Sequence, residues 1–133
     1  MRKGMLSVAA TLLLVPVSLW AHHAFAAEFD ATKPVKMQGT VAKLELINPH
    51  AWIHIDVKAA DGKVTRWSIE AAAPNAMLRR GFNQDSLKPG TVILVEGFQA
   101  KDGANRANGS NITYADGRKL FIGSNGTGAP GEQ

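Results

Sequence analysis

The stretch NPHAWIHIDV, Asn48 to Val57, carries the clearest hydropathy pattern in the chain. Apolar residues occupy every second position, which predicts a β-strand with one face against a core. The apolar face comprises Ala51, Ile53, Ile55 and Val57, and the other face comprises His50, Trp52, His54 and Asp56. The second face combines imidazole, indole and carboxylate groups, so it is the first place to look for function.

The residues that follow predict a hairpin. Ala60-Asp61-Gly62 fits a three-residue loop with its glycine in the left-handed conformation, and a third strand runs over Lys63–Glu70. The resulting inner-face pairs are Ile53 with Ile69 and Ile55 with Trp67, and the outer-face pairs are Trp52 with Glu70, His54 with Ser68 and Asp56 with Arg66. A slip of one residue would oppose apolar and polar side chains, so this register is favoured.

The first strand is predicted over Val35–Leu46 and changes its apolar phase along the way. The apolar positions up to Val41 alternate around Gly39, and the later ones, Leu44 and Leu46, have the other phase. A phase change beside a glycine predicts a β-bulge or a sharp bend.

The period of the hydropathy pattern changes after the hairpin. Pro74 opens a predicted short helix that Gly81 ends, with Met77 and Leu78 facing the core. Later expectations are a fourth strand over Thr91–Gln99, a polar loop over Asn105–Asn111, and strand segments Ile112–Tyr114 and Lys119–Ile122 around a turn at Asp116-Gly117.

This element order predicts an all-β fold, a five-stranded OB-like Greek-key barrel with one short helix between strands 3 and 4. A simple five-stranded meander is the alternative, and the position of the helix favours the barrel. We expect a barrel domain over residues 35–123, an N-terminal arm over 22–34 and a disordered tail, rich in Gly, Asn and Pro, over 124–133.

Residues 1–21 predict a secretory signal peptide, because Arg2 and Lys3 precede an apolar run that ends near the small residue Ala21. The run is short for a membrane span. Its removal leaves 13 basic and 11 acidic residues, and the chain has no cysteine for a disulfide or thiolate site. These features favour a bacterial periplasm. Cleavage after Ala26, which follows an A-x-A pattern, is the alternative.

All four histidines are candidate metal ligands: His22, His23, His50 and His54. Cleavage after Ala21 would make His22 the first residue, so its amine and its ring could chelate one ion in a histidine brace that suits copper. His23 offers a variant of this chelate. The Cα atoms of His50 and His54 would lie about 13 Å apart on one strand face, so we expect only one of them, more readily His50, to complete the site. Cleavage after Ala26 would remove His22 and His23.

The alternative function is a metal-free binding module that uses the face of Trp52, His54 and Glu70 for a small ligand or a protein partner. We expect no enzyme, because the sequence shows no nucleophile elbow or phosphate-binding glycine loop. We also expect no nucleic-acid partner, since Trp52 is the one strong outer-face aromatic and the mature charge is only mildly positive. The protein is expected to be a monomer without membrane attachment after signal cleavage.

Three motifs, HHAFAAEFD (22–30), NPHAWIHID (48–56) and DGRKLF (116–121), resemble a family of small uncharacterised secreted bacterial proteins. The resemblance covers nearly the whole mature chain. It implies a periplasmic location and a compact β-domain, and it implies no activity.

Overall fold

The computed structural model describes residues 25–131. Within that range six strands accompany one short helix, α1 (Pro74–Arg79). The strands are β1 (Phe29–Glu45), β2 (Trp52–Lys58), β3 (Val64–Glu70), β4 (Val92–Ala100), β5 (Arg106–Tyr114) and β6 (Lys119–Phe121). A helical turn over residues 25–28 precedes β1. None of the helical segments in this part of the chain has the length and apolarity that crossing a membrane requires.

The sheet closes on itself. Its strand order is β3-β2-β1-β4-β5-β6, and β3 also pairs with β5 in parallel. With α1 lying between β3 and β4 in the chain, this is the connectivity of an OB-like barrel. The prediction of an OB-like barrel is confirmed, with a short sixth strand added against β5.

The β2–β3 hairpin has the predicted register. Ile53 faces Ile69, Trp52 faces Glu70, and the remaining predicted pairs also match. Gly62 has a φ of 84°, the left-handed conformation that the loop requires. The buried face is the predicted one, since Ile53, Ile55 and Ile69 are fully buried.

Strand β1 serves two partners, and this explains its length. Its first part pairs with β4 and its last part pairs with β2, with a register shift between Val41 and Lys43 in the β2 pairing. The predicted bulge is therefore confirmed. The strand begins at Phe29, where Val35 was expected, because Phe29 already pairs with Ala100 at the end of β4.

The prediction of a loop over Asn105–Asn111 is wrong for all of it except Asn105, because residues 106–111 form most of β5. The small residues among them reflect close packing. A Cβ added to Gly109 in this strand would lie 2.6 Å from Cδ1 of Ile122 and 2.7 Å from Cγ2 of Ile69. The strand can therefore be built only from residues that leave this space open, and its sequence loses the usual apolar signature.

Helix α1 contributes one residue to the core. Met77 is 1% exposed, whereas Leu78 is 51% exposed, so the expectation that both face inward is wrong for Leu78. A six-residue helix presents a narrow inward face, and the next residue along the chain points about 100° away from it. Gly81 ends this segment with a φ of 84°.

Two apolar clusters hold the fold together. The larger fills the barrel and includes Ile53, Ile55, Phe82 and Ile112. The smaller comprises Phe25, Phe29 and Ala100, with Phe98 and Ala129 packed against it. Ala129 belongs to the segment that we expected to be a disordered tail, and its packing brings residues near the end of the described chain onto the start of β1.

Candidate functional site

A pocket of about 370 Å³ opens on the outer surface of the barrel. Its walls are formed by the N-terminal helical turn, the start of β1, the β1–β2 connection, β2, β3, β5 and the segment after β6. The lining residues are Phe25, Glu28, Phe29, Pro49, His50, Trp52, Glu70, Arg106, Asn108, Ser124 and Thr127. We call this the His50 pocket.

Strand pairing explains why distant residues meet there. Trp52 on β2 is paired with Glu70 on β3, and Glu70 is paired with Asn108 on β5. Directly paired residues project from the same face of a sheet, so these three side chains form a row across the outer face. His50, two residues before Trp52, adds an imidazole at the end of this row.

His50 and Glu70 are in close polar contact inside the pocket, through the ring Nδ1 and the carboxylate Oε1. Burial raises the pKa of Glu70, and nearby Glu28 raises it further, while His50 and Arg106 lower it. The Glu70 side chain is 10% exposed, whereas the His50 side chain is 36% exposed. The carboxylate thus fixes one ring nitrogen of His50 and leaves Nε2 without a hydrogen-bond partner among residues 25–131.

Arg106 connects the N-terminal turn to β5. Its guanidinium lies 3.4 Å from the carboxylate of Glu28 and 5.4 Å from the centre of the Phe29 ring. The neighbouring pocket residue Asn108 is 9% exposed. The pocket therefore combines a positive group, an amide and an indole with the His50–Glu70 pair.

His54 belongs to a separate network. Its Nε2 lies 2.8 Å from Oε2 of Glu45, and its Nδ1 lies 3.0 Å from the Ser68 hydroxyl. Hydrogen bonds from Lys43 and then His54 lower the pKa of Glu45. Of the predicted face, the structure brings Trp52 and Glu70 together with His50, and it holds His54 outside the pocket lining.

Ser68, His54 and Glu45 lie in the order of a hydrolytic triad, but Ser68 does not have the surroundings of a nucleophile. It lies within β3, paired with both His54 and Arg106, and its backbone N–H donates to the carbonyl oxygen of Asn105 at 3.1 Å. A nucleophilic serine on an elbow is presented on a sharp turn beside free N–H donors. We interpret the network as a link between β1, β2 and β3.

Two predicted metal ligands, His22 and His23, lie outside the described residues. Across residues 25–131, no three or more His, Cys, Asp or Glu side chains form a group that could hold a metal ion. His50 is therefore the one predicted ligand that the structure places in the pocket with a free ring nitrogen.

The sequence did not single out most of the residues that line the His50 pocket. Among them, Phe25, Glu28 and Phe29 lie in the expected arm, and Arg106 and Asn108 lie in the expected loop. Glu45 beside His54 had a usable signal: the phase change that turns Leu44 inward turns Glu45 outward, onto the face of His54.

Comparison with known proteins identifies a family and a similarity to a solved structure. The mitochondrial single-stranded DNA-binding protein Rim1 of S. cerevisiae superimposes with a TM-score of 0.46 at 13% identity, over 68% of this chain and 97% of that one. No curated protein matches the sequence. The profile of the family of unknown function DUF6152 matches residues 10–110, which is well over half of the chain. The chain therefore belongs to the family of unknown function DUF6152.

Proposed function

We propose that the protein is a periplasmic, non-enzymatic binding protein that holds a copper ion at the His50 pocket. His50 supplies a ring nitrogen from the barrel. His22, as the first residue after signal cleavage, supplies its amine and its own ring nitrogen.

The observation that carries this proposal is the His50–Glu70 pair. A metal-bound histidine almost always donates its second ring N–H to a carboxylate or carbonyl, which fixes the ring and raises its basicity as a ligand. Glu70 holds Nδ1 of His50 in this way from a nearly buried position. Nε2 then remains available to bind an ion at the pocket.

The second support is the path of the chain. Phe25 lines the His50 pocket and lies three residues after His22, a length that spans at most about 10 Å. A terminal histidine can therefore reach the pocket without rearrangement of the barrel. The amine and imidazole of His22 with the imidazole of His50 make a three-nitrogen set, which suits copper. His23 could replace His22 through its own amide and ring.

His54 fits this role poorly. Both of its ring nitrogens are engaged, one by Glu45 and the other by Ser68. Binding a metal through either nitrogen would require breaking one of these contacts. We therefore assign His50, and not His54, as the barrel ligand.

The test begins with the untagged protein purified from its native periplasm. Its intact mass gives the cleavage site and any bound ion together. Cu(II) titration then compares the wild type with His22→Ala, His50→Ala and His54→Ala. We expect the first two variants to lose at least about tenfold in affinity and His54→Ala to bind like the wild type. A mature chain that starts at Ala27, or equal affinity in all four proteins, would overturn the copper proposal.

A second candidate is a metal-free binding module. The observation that favours it is the lining of the His50 pocket by Trp52, Glu70, Arg106 and Asn108, which offers an aromatic wall with polar groups for a small ligand or a protein segment. This function needs no free His22 amine. A variant that carries both His22→Ala and His23→Ala should therefore lose copper binding by the brace and leave a metal-free module unaffected.

A further inference from the structure

A second pocket, of about 400 Å³, lies beside α1 and the segment after β6. Its lining combines small apolar side chains with polar and positively charged ones. The residues are Ala72, Ala73, Ala76, Arg79, Arg80, Ser124 and Asn125. We call it the arginine pocket. It shares only Ser124 with the His50 pocket.

The arginine pocket is built by backbone pairing. The N–H of Ala72 donates to the carbonyl oxygen of Ile122 at 2.7 Å, which brings the chain after β6 alongside the connection into α1. Ser124 and Asn125 follow after Gly123, and they line the same pocket as the residues of the helix. Two segments that are far apart in sequence thus form the two walls.

The Arg80 side chain is held in place by two residues at the end of β6 and just after it. Its Nη1 donates to the carbonyl oxygen of Gly123 at 2.8 Å, and its guanidinium carbon lies 4.8 Å from the centre of the Phe121 ring. A guanidinium fixed by a carbonyl and a ring retains further N–H donors. It is therefore pre-organised to bind an acceptor in the pocket.

The two arginines of the pocket differ from the others in the described chain. Arg66, Arg106 and Arg118 each have a carboxylate partner, in Asp56, Glu28 and Asp116. Over residues 25–131, neither Arg79 nor Arg80 forms an ion pair with a carboxylate. Burial, together with the positive charge of Arg79, lowers the pKa of Arg80. An anion bound by both guanidinium groups would offset the cost of burying the charge of Arg80 and its repulsion by Arg79.

We propose that the arginine pocket binds a small organic anion, through a phosphate or carboxylate group on Arg79 and Arg80. Guanidinium groups match both kinds of oxyanion with paired N–H donors. Ala72, Ala73 and Ala76 line the rest of the pocket and would contact the apolar body of the ligand. Ser124 and Asn125 provide further hydrogen-bonding groups on the opposite wall.

The competing explanation is that the arginines only stabilise α1. Positive residues in the last turn of a helix interact favourably with its dipole, and Arg79 occupies that turn. This explanation predicts that loss of Arg79 lowers stability without affecting the binding of anions.

The experiment uses the full mature protein and three probes: inorganic phosphate, phenyl phosphate and benzoate. Binding is followed by calorimetry and by the amide resonances of Ser124 and Asn125. Arg79→Ala is compared with Lys58→Ala, a matched loss of one positive charge at an exposed site outside the pocket. We expect Arg79→Ala to weaken the best probe by about tenfold or more and Lys58→Ala to change it by less than about twofold.

Two further outcomes decide the class of ligand and the need for a guanidinium. A stronger response to phenyl phosphate than to inorganic phosphate supports a ligand with an apolar body, and comparison with benzoate separates phosphate from carboxylate. Arg79→Lys is expected to restore binding only in part, because an ammonium lacks the planar pair of donors.

Absence of binding by all three probes at about 10 mM, a level at which a weak ~1 mM site would be nearly filled, would overturn the proposal. Equal losses in Arg79→Ala and Lys58→Ala would also overturn it, as would a loss of stability alone.

Discussion

The imidazole of His50 and the carboxylate of Glu70 are paired at the wall of one pocket, and they are unequally exposed. The Glu70 side chain is 10% exposed, while the His50 side chain is 36% exposed. The buried partner therefore orients the accessible one. The strand register that pairs Glu70 with Trp52 and Asn108 fixes this arrangement, so the orientation of His50 depends on the whole β2–β3–β5 surface.

The first prediction concerns the contribution of Glu70 to copper binding. Glu70→Gln keeps the size of the side chain and removes the carboxylate that holds Nδ1 of His50. Loss of such an outer partner typically costs about 10-fold to 100-fold in metal affinity. We expect a loss in this range when Cu(II) is titrated into the mature protein.

The matched control is Glu45→Gln, which removes the carboxylate partner of His54. Both variants lose one negative charge next to a histidine, and only one of the two histidines lines the His50 pocket. Similar copper affinities in the two variants would contradict the assignment of His50.

The second prediction concerns the pH dependence of stability in the metal-free protein. The pKa of Glu70 is raised by burial, so its charged form is less favourable in the folded state than in the unfolded chain. Its contribution to stability is therefore fully present below the ordinary glutamate pKa and is lost as the pH rises through the raised folded-state value. We expect Glu70→Gln, relative to the wild type, to gain free energy of unfolding between about pH 3.5 and pH 7, measured by urea denaturation with a chelator present.

In the same experiment, Glu45→Gln should change the free energy of unfolding in the opposite direction. The pKa of Glu45 is lowered, so its contribution is present above the ordinary glutamate pKa and is lost as the pH falls through the folded-state value. We therefore expect this variant to lose stability relative to the wild type at about pH 7 and to approach it at about pH 3. If the stability of the two variants changed with pH in the same way, the opposite pKa shifts of Glu70 and Glu45 would be ruled out.

Periodicity was sufficient to predict the hairpin and the barrel, because alternation and loop length together determine a register. Periodicity was insufficient to predict β5, where close packing determines which residues fit. Strand β5 lacks the apolar alternation of a strand because Gly109 and Ala107 are small for reasons of packing, and an added Cβ on Gly109 would lie 2.7 Å from Ile69.

Part of the candidate site was predictable for the same reason. His50, Trp52 and Glu70 follow from the hairpin register and its unusual outer face. Arg106 and Asn108 depend on the parallel β3–β5 pairing, a contact between segments far apart in sequence. The position of Phe25 depends on an aromatic cluster with Phe29 and Phe98, whose ring centres lie 5.9 and 5.7 Å from that of Phe25. No local pattern encodes these long-range contacts.

The third prediction tests the inner face of the hairpin. Ile53 is fully buried in the barrel core, and Ile53→Ala should lower the free energy of unfolding by about 2–5 kcal/mol. Val64 begins the next strand and is 57% exposed, so Val64→Ala should change stability by less than about 0.5 kcal/mol. Urea denaturation of both variants measures the difference. Comparable effects would contradict the assignment of the two faces.

The fourth prediction addresses the close approach of β4 and β5. A Cβ added to Gly97 would lie 2.1 Å from the carbonyl oxygen of Asn108, which belongs to the backbone and cannot move without disturbing the β4–β5 ladder. A Cβ added to Gly39 meets first the Ile55 Cδ1 atom, at 2.8 Å, which lies at the end of a side chain. We expect Gly97→Ala to cost more than about 4 kcal/mol or to prevent folding, and Gly39→Ala to cost about 1–3 kcal/mol. Because Asn108 also lines the His50 pocket, any folded Gly97→Ala protein should show shifted amide resonances for Asn108 and Glu70, whereas Gly39→Ala should leave them in place. A Gly97→Ala protein of wild-type stability would show that β5 does not pack against β4 at this distance, and the pocket wall that β5 forms would then have to be reassigned.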